Sequence, residues 1–456
     1  MFLIALIIYF IILAFLGLVL SKKNIDFDSY FFGKRKLGAF LIFFTVTASW
    51  FGGASTIATI NDAYGKGFES IWLIGIPTIL TIFIFVLINK KIRKSNFVSL
   101  PIFLNKYYGK SVSSFASFLI FFYMIVLTAS QFVAWGKFAS IFIEENYEVT
   151  VIIGAVIVIL YSYLGGYMSV VLTDGLQLLL LTLSILYLIL AFKNNFHYIQ
   201  ASDLKIFSNI QHNLLITISF TLAWLISPII WQRIASAKSK ESSKKGLIIS
   251  IIAFSTLYVL IILIAICLRK FPLNNNFFSN IIRNSLPVSG SILVFIGIGA
   301  AIMSTADSAI NIGALTLVKD VFKLKNKKKI ILFSKISTLI SGSLAVLIAL
   351  EFNSIIKTLG LASEIMAEGL FIPGMYALFF KKRKPVAALL SLILGGGFSI
   401  IVFINAYGLK LHIPEWPYSL PYGLSLSLIG FIIGYFIDKK TKNNLYTPGG
   451  SRTPNA

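Results

Sequence analysis

An all-α polytopic membrane protein is the fold class this sequence predicts, and three observations predict it. The 456 residues are 57% hydrophobic and 12% charged, with a mean hydropathy of +0.88, which lies outside the range of soluble domains. Apolar stretches of about 20 residues, the length that crosses a bilayer as a helix, recur along the whole chain. The 40 Lys and Arg residues, which give a net charge of +23, lie almost entirely between those stretches. A nucleic-acid role is therefore not expected, because the basic charge follows the membrane topology.

Thirteen apolar intervals follow in order. Residues 1–20 have no basic leader and no small-residue cleavage site, so they read as a retained helix. Residues 38–62 hold the pair Gly52-Gly53, which weakens a helix and frees backbone carbonyls, tolerated in a membrane where they line a cavity or bind something. Close packing through small residues is the plainer explanation of the same pair. Residues 70–89, 112–140 and 149–164 are nearly unbroken apolar spans, and 168–192 opens after a Gly165-Gly166 turn. Residues 213–235 contain Pro228, followed by spans at 246–268, 289–318, 329–350, 356–380, 385–406 and 419–437.

The connections alternate in charge. One set holds Lys22, Lys23 and 34–36, then Lys90 to Lys110, Arg233 to Lys245, Lys319 to Lys335, 381–384 and the C-terminal segment, for 31 of the 40 basic residues. The positive-inside rule makes that side cytoplasmic, with the N-terminus outside and the C-terminus inside. No connection is long enough for a soluble domain, and the tail from 441 to 456 reads as disordered, so no enzyme is expected. Cys267 stands alone in an apolar run, and His197, His212 and His412 have no metal-ligand spacing. A monomer is expected.

Polar residues inside the spans are the functional signal. Ala301, Ser304, Thr305 and Ser308 lie at i, i+3, i+4 and i+7, one face of a helix carrying hard, uncharged oxygens of the kind that replace the water of an alkali cation. Isolated Ser and Thr residues usually bond back to their own helix. Asp174 opens the sixth span, where it either holds an ion or partner or is wetted near the cytoplasmic end. Glu364 and Glu368 are i, i+4 neighbours that either face a cation, share a proton or are solvated at the outer surface.

Five stretches together resemble the sodium:solute symporter family: "TASWFGGASTIATINDAYGKG", "LGGYMSVVLTDGLQ", "SPIIWQRIASAKSKESSKKG", "MSTADSAINIGALTLVKDVFK" and "FIPGMYALFFKKRKP". The resemblance covers the first span to about residue 384. It implies a LeuT-type 5+5 inverted repeat, with an added helix in 1–37, a first repeat at 38–192, a second at 193–380 and two further helices in 381–440. It implies Na+ as coupling ion, held by carbonyls of Ala48, Phe51 and Ala301 and hydroxyls of Ser304 and Thr305. A second cation site would use Asp174, Asp307 and Ser308, with a carboxylate where the family has a hydroxyl. Substrate would bind near Gly52, Gly53, Ser55, Phe220, Trp224 and Ser227, with Glu364 and Glu368 as further candidates. The function implied is sodium-coupled import of a small organic solute such as proline, another amino acid, pantothenate, a sugar or sialic acid, across the inner (plasma) membrane of a bacterium. A proton-coupled transporter of the same fold and a transporter-like sensor are the alternatives.

Overall fold

A computed structural model describes residues 1–21, 32, 35–95, 98–165, 167–272, 276–322, 324, 327–409 and 411–444. The residues from 445 onward, with most of the expected disordered tail, lie outside them. The chain is helical throughout: α1 (Phe2–Ser21), α2 (Ala39–Trp50), α3 (Thr59–Lys66), α4 (Gly75–Lys94), α5 (Leu100–Tyr108), α6 (Lys110–Ile143), α7 (Tyr147–Leu164), α8 (Tyr167–Ala191), α9 (Ile210–Leu225), α10 (Pro228–Ser236), α11 (Lys240–Cys267), α12 (Phe277–Ser285), α13 (Val288–Leu315), α14 (Lys327–Glu351), α15 (Ile355–Glu364), α16 (Phe371–Phe380), α17 (Pro385–Ser391), α18 (Gly397–Ile404) and α19 (Leu420–Asn444).

Among the described residues, ten helical stretches are long and apolar enough to cross a membrane, or eleven if α9 and α10 are one bent span. The thirteen intervals of the sequence all fall on helix, and the two numbers differ for a geometric reason. The second interval is interrupted at Phe51, leaving α2 only 12 residues long, while α3 and α4 run together with a 3-10 turn into one stretch of 41 residues. The eleventh is split into α15 and α16 by a π-helical turn at Ile365–Leu370.

The interruption of α2 and the bend between α9 and α10 have local causes. The ladder of α2 runs as far as Phe51 N–H donating to Thr47 O and resumes with Thr56 N–H donating to Gly52 O. The carbonyls of residues 48–51 therefore lie in the gap, in a stretch where Gly52 and Gly53 remove the side chains that would otherwise hold the helix. Between α9 and α10 the axis turns by 46°. Pro228 stands at the first position of α10, where its missing N–H costs nothing, and Ser227 ahead of it is extended with ψ 117°.

Among the described residues the most extensive helix pairing joins α8 to α13. Gly290 lies under Tyr187, Gly297 under Ser184, and the Ser184 hydroxyl donates across the interface to Leu293 O at 2.8 Å. Small residues of this kind let two membrane helices approach until backbone meets side chain. As the number rises on α13 it falls on α8, so the two run antiparallel and the same register brings Ser304 to Asp174. Trp135 of α6 wedges beside Gly154 and Gly299, with its indole N–H on Thr150 O at 2.9 Å. These contacts fix α13 against the scaffold on which the broken α2 rests.

Candidate functional site

The break in α2 meets α13 directly. A Cβ added to Gly52 would stand 2.6 Å from Thr305 Oγ1, so only glycine admits this approach. Gln131 of α6 receives the Gly53 N–H on Oε1 at 2.9 Å, replacing a helical bond that the break removes. Around the gap lies a cavity of about 30 Å³ lined by Gly52, Ser55, Gln131, Trp224 and Thr305 among others. That volume holds little more than a water molecule or two. It stands below outer cavities of about 430 and 870 Å³ that share Asn61 and Lys137. Any organic solute must therefore part these helices to enter or leave.

Beside the cavity is a buried polar network. Asp174 is 0% exposed, so the wetted alternative for this residue does not hold. Its Oδ1 accepts from Ser304 Oγ at 2.5 Å, and its Oδ2 accepts from Thr45 Oγ1 at 2.5 Å and Ser49 Oγ at 3.5 Å. Ser49 and Ser308 hydroxyls are 2.8 Å apart. Asp307 points elsewhere and accepts from Ser162 Oγ at 2.5 Å. Asp174 and Ser308 thus share one network, and Asp307 belongs to another.

A residue that the sequence reading counted as loop charge sits at the centre of the first network. Arg233 is 0% exposed on α10. Its Nη2 donates to Ser308 Oγ at 2.7 Å and Ser49 Oγ at 3.0 Å, its Nε to Thr45 Oγ1 at 3.2 Å, and its Nη1 to Gln232 Oε1 at 2.7 Å. Nη2 stands 3.8 Å from Asp174 Oδ2, an ion pair excluded from water, and the guanidinium lies 5.2 Å from the Tyr167 ring centroid. A buried pair of this kind survives because every charged atom finds a hydrogen-bond partner. The available signal was position, because Arg233 lies five residues before Lys238, inside the apolar "PIIWQRIAS" rather than beyond it.

The remaining expected residues divide. Ala301 O accepts from Thr305 Oγ1 at 3.4 Å; Thr305 meets the α2 break at Gly52, Ser304 is bonded to Asp174, and Ala48 and Phe51 are buried on the α2 side. Gly52, Ser55, Trp224 and Thr305 line the small cavity. Gly53 is pressed against Ala134. Phe220 supports the cavity from behind, stacked on Trp224 at 4.9 Å and against Trp416 at 5.4 Å. Ser227 is buried at the α9–α10 bend.

Glu364 and Glu368 are both 0% exposed, which excludes solvation at the outer surface. They face α19 and the turn at Leu392–Gly396. Ser419 donates to Glu364 Oε1, and a Cβ at Gly423 would overlap the Glu368 carboxylate. The structure does not bring them to the small cavity. Gln131, Thr45 and Tyr258, the last hydrogen-bonded to Ser55 at 2.8 Å, are the site neighbours that sequence reasoning missed.

Two facing broken helices with a cavity and polar oxygens at the break define a secondary transporter, since irregular backbone at membrane depth persists where it binds cargo. The chain belongs to the sodium:solute symporter family, whose model matches residues 30–395. It is 23% identical over 475 residues to the osmoregulated proline transporter OpuE of Bacillus subtilis, covering 96% of this chain and 95% of that one. It is 25% identical to a sodium/proline symporter of Staphylococcus aureus, over 95% of this chain and 92% of the relative. Among solved structures, a Na+-coupled sialic acid symporter in a substrate-bound outward-open state superposes with a TM-score of 0.81 at 19% identity, over 96% and 97% of the two chains. A nucleobase-cation-symport-1 family transporter superposes with a TM-score of 0.54 at 12% identity, over 90% and 95%. The fold is the LeuT type. The protein is a sodium-coupled solute symporter of the plasma membrane and not an enzyme, with sodium as its coupling ion.

Proposed function

We propose that the chain imports a compact, uncharged or zwitterionic solute of amino-acid size, proline being the model, together with sodium held between the α2 break and α13. The observation that carries this reading is the lining of the small cavity. Trp50, Trp224 and Tyr123 supply apolar walls, Ser55, Gln131 and Thr305 supply hydrogen bonds, and no Asp, Glu, Lys or Arg among the described residues lines it. A fully charged solute would lack a counter-ion there, whereas the N–H groups that open the half-helix after the break suit a carboxylate. The similarity to proline transporters supports the same size class.

In this reading the ion takes carbonyl oxygen from Ala48, Phe51 and Ala301 and hydroxyl oxygen from Ser304 and Thr305. These come from both repeats, so sodium favours the state in which the two halves of the site are close, which is all that coupling requires. Asp174 and Ser308 are already engaged with Arg233, and one sodium per cycle is the stoichiometry we infer. Residues 38–192 and 193–380 are taken as the two repeats, each led by a broken helix, and residues 1–37 and 381–440 as additions. A monomer is taken as the transporting unit.

One sodium moving through about 100 mV releases about 2.3 kcal/mol, and a tenfold gradient adds about 1.4 kcal/mol. Together they support accumulation of a neutral solute by about 500-fold. Counterflow into proteoliposomes with labelled amino acids, pantothenate, sugars and sialic acid tests the proposal. We expect one small zwitterion to accumulate only with an inward sodium gradient. A Ser304→Ala, Thr305→Ala variant should need at least about tenfold more sodium for half-maximal uptake. Accumulation driven by a pH gradient without sodium would overturn the assignment of these oxygens.

A further inference from the structure

A cleft that shares no lining residue with the small cavity lies at the basic end of the molecule. Lys90, Lys91 and Lys94 at the end of α4, Lys106 on α5 and Lys381 after α16 converge on a cleft of about 420 Å³ beside Phe379. None of the five makes an ion pair among the described residues, and neighbouring carboxylates are engaged elsewhere. Asp438 accepts the Val386 and Ala387 N–H groups at 3.3 and 3.1 Å, and Asp320 accepts from Ser99 Oγ at 2.6 Å. Five like charges around one cleft repel one another unless an anion enters.

The walls of the cleft suit a lipid more than a soluble anion. α5 follows on the basic end of the apolar stretch that contains α4, with Phe103, Leu104 and Tyr108 buried and Lys106 exposed. Tyr107 and Phe379 stand at the cleft edge, the latter with Lys91 Nζ 3.8 Å from its ring centroid. Aromatic rings beside lysine ammonium groups at this depth are the arrangement of a headgroup boundary. Lys381 ends α16 in the left-handed conformation, φ 53°, the same helix stop that Glu144 makes after α6 at φ 63°.

We propose that this cleft binds the phosphate headgroup of an anionic membrane phospholipid, its acyl chains lying along α4 and α16. The headgroup would join parts of both halves of the molecule, since α4 and α5 belong to the first and α16 to the second. Tyr108 OH already ties α5 to Pro373 O at 2.9 Å, and the lipid would add a charge-dependent link beside that contact.

The test uses the full-length protein in neutral detergent with phosphatidylglycerol added, read as thermal stability, so that no knowledge of the substrate is needed. Phosphatidylglycerol should raise the unfolding midpoint by several degrees while phosphatidylcholine does not, and the increment should shrink in high salt. Lys90→Gln, Lys91→Gln, Lys94→Gln, Lys106→Gln combined should lose most of the increment. The corresponding four Lys→Arg changes should keep it, which separates loss of charge from failure to fold. A control replacing Lys238, Lys240, Lys244 and Lys245 by Gln should also keep it. Equal loss in that control, or an equal increment from inorganic phosphate, would overturn the proposal, the first as a general charge effect and the second as binding of a soluble anion.

Discussion

At the scale of single residues the pair Arg233 and Asp174 is the most consequential. Both are cut off from water, and each is the other's only opposite charge within ion-pair distance among the described residues. Removing one partner of such a pair strands the other, at about 3–5 kcal/mol. Arg233→Ala is therefore expected to lower the unfolding midpoint sharply and reduce the folded yield. Arg233→Gln combined with Asp174→Asn should recover much of that loss. A double-mutant cycle on thermal stability checks this, and strict additivity would mean that the 3.8 Å contact is energetically idle. The sequence made Asp174 legible as a costly carboxylate in a span, but Arg233 was not, since the positive-inside rule assigns every basic residue near a span end to the loop. Only the fold shows that the guanidinium points back into the bundle. Gln131 was equally silent, because a single amide in the 34-residue α6 has no periodic partner to mark it.

At the scale of elements the decisive feature is how α8, α13 and the broken α2 share one contact. The hydroxyl face of α13 could be read from spacing alone, because a period of 3.6 is a property of one helix. What that face meets depends on register between helices about 130 residues apart, which no local pattern carries. Gly297 sets the register, with Leu180 O only 2.6 Å from where its Cβ would lie. Gly297→Val should force α8 and α13 apart and cost about 1–3 kcal/mol. Sodium-dependent stabilisation should fall more than basal stability does, measured as the midpoint shift on adding sodium. Glu364 and Glu368 make the same point in reverse. Their i, i+4 spacing is plain in the sequence, yet their neighbour Ser419 is 55 positions away, so their place beside α19 could not be foreseen.

At the scale of the molecule the cavities are graded, from several hundred Å³ outside to about 30 Å³ at the α2 break. Accessibility should follow that gradient. Cys267 is buried and is the sole native cysteine, so introduced thiols can be read against a quiet background. Asn61→Cys is expected to react quickly with a membrane-impermeant thiol reagent, and Ser55→Cys slowly, with sodium changing the rate at Ser55 as it shifts the balance between the closed and the parted state. Equal rates at both positions would show that the constriction is not closed in the membrane.

The strand-like bridge at the basic end gives this gradient its mechanical meaning. Leu37 N–H donates to Ser236 O at 3.0 Å and Lys238 N–H to Leu37 O at 2.9 Å, while Arg93 Nη1 donates to Ile234 O and Ala237 O at 2.9 and 2.8 Å. These bonds join the chain just before α2 to the chain just after α10, so the two broken helices are yoked like a pair of oars on one shaft. A yoked pair swings as one, so we expect the ion half and the solute half of the site to change accessibility together. Cutting the shaft with Arg93→Ala and Leu37→Pro should leave ion binding in place and open a slip, seen as sodium entering liposomes when no solute is present.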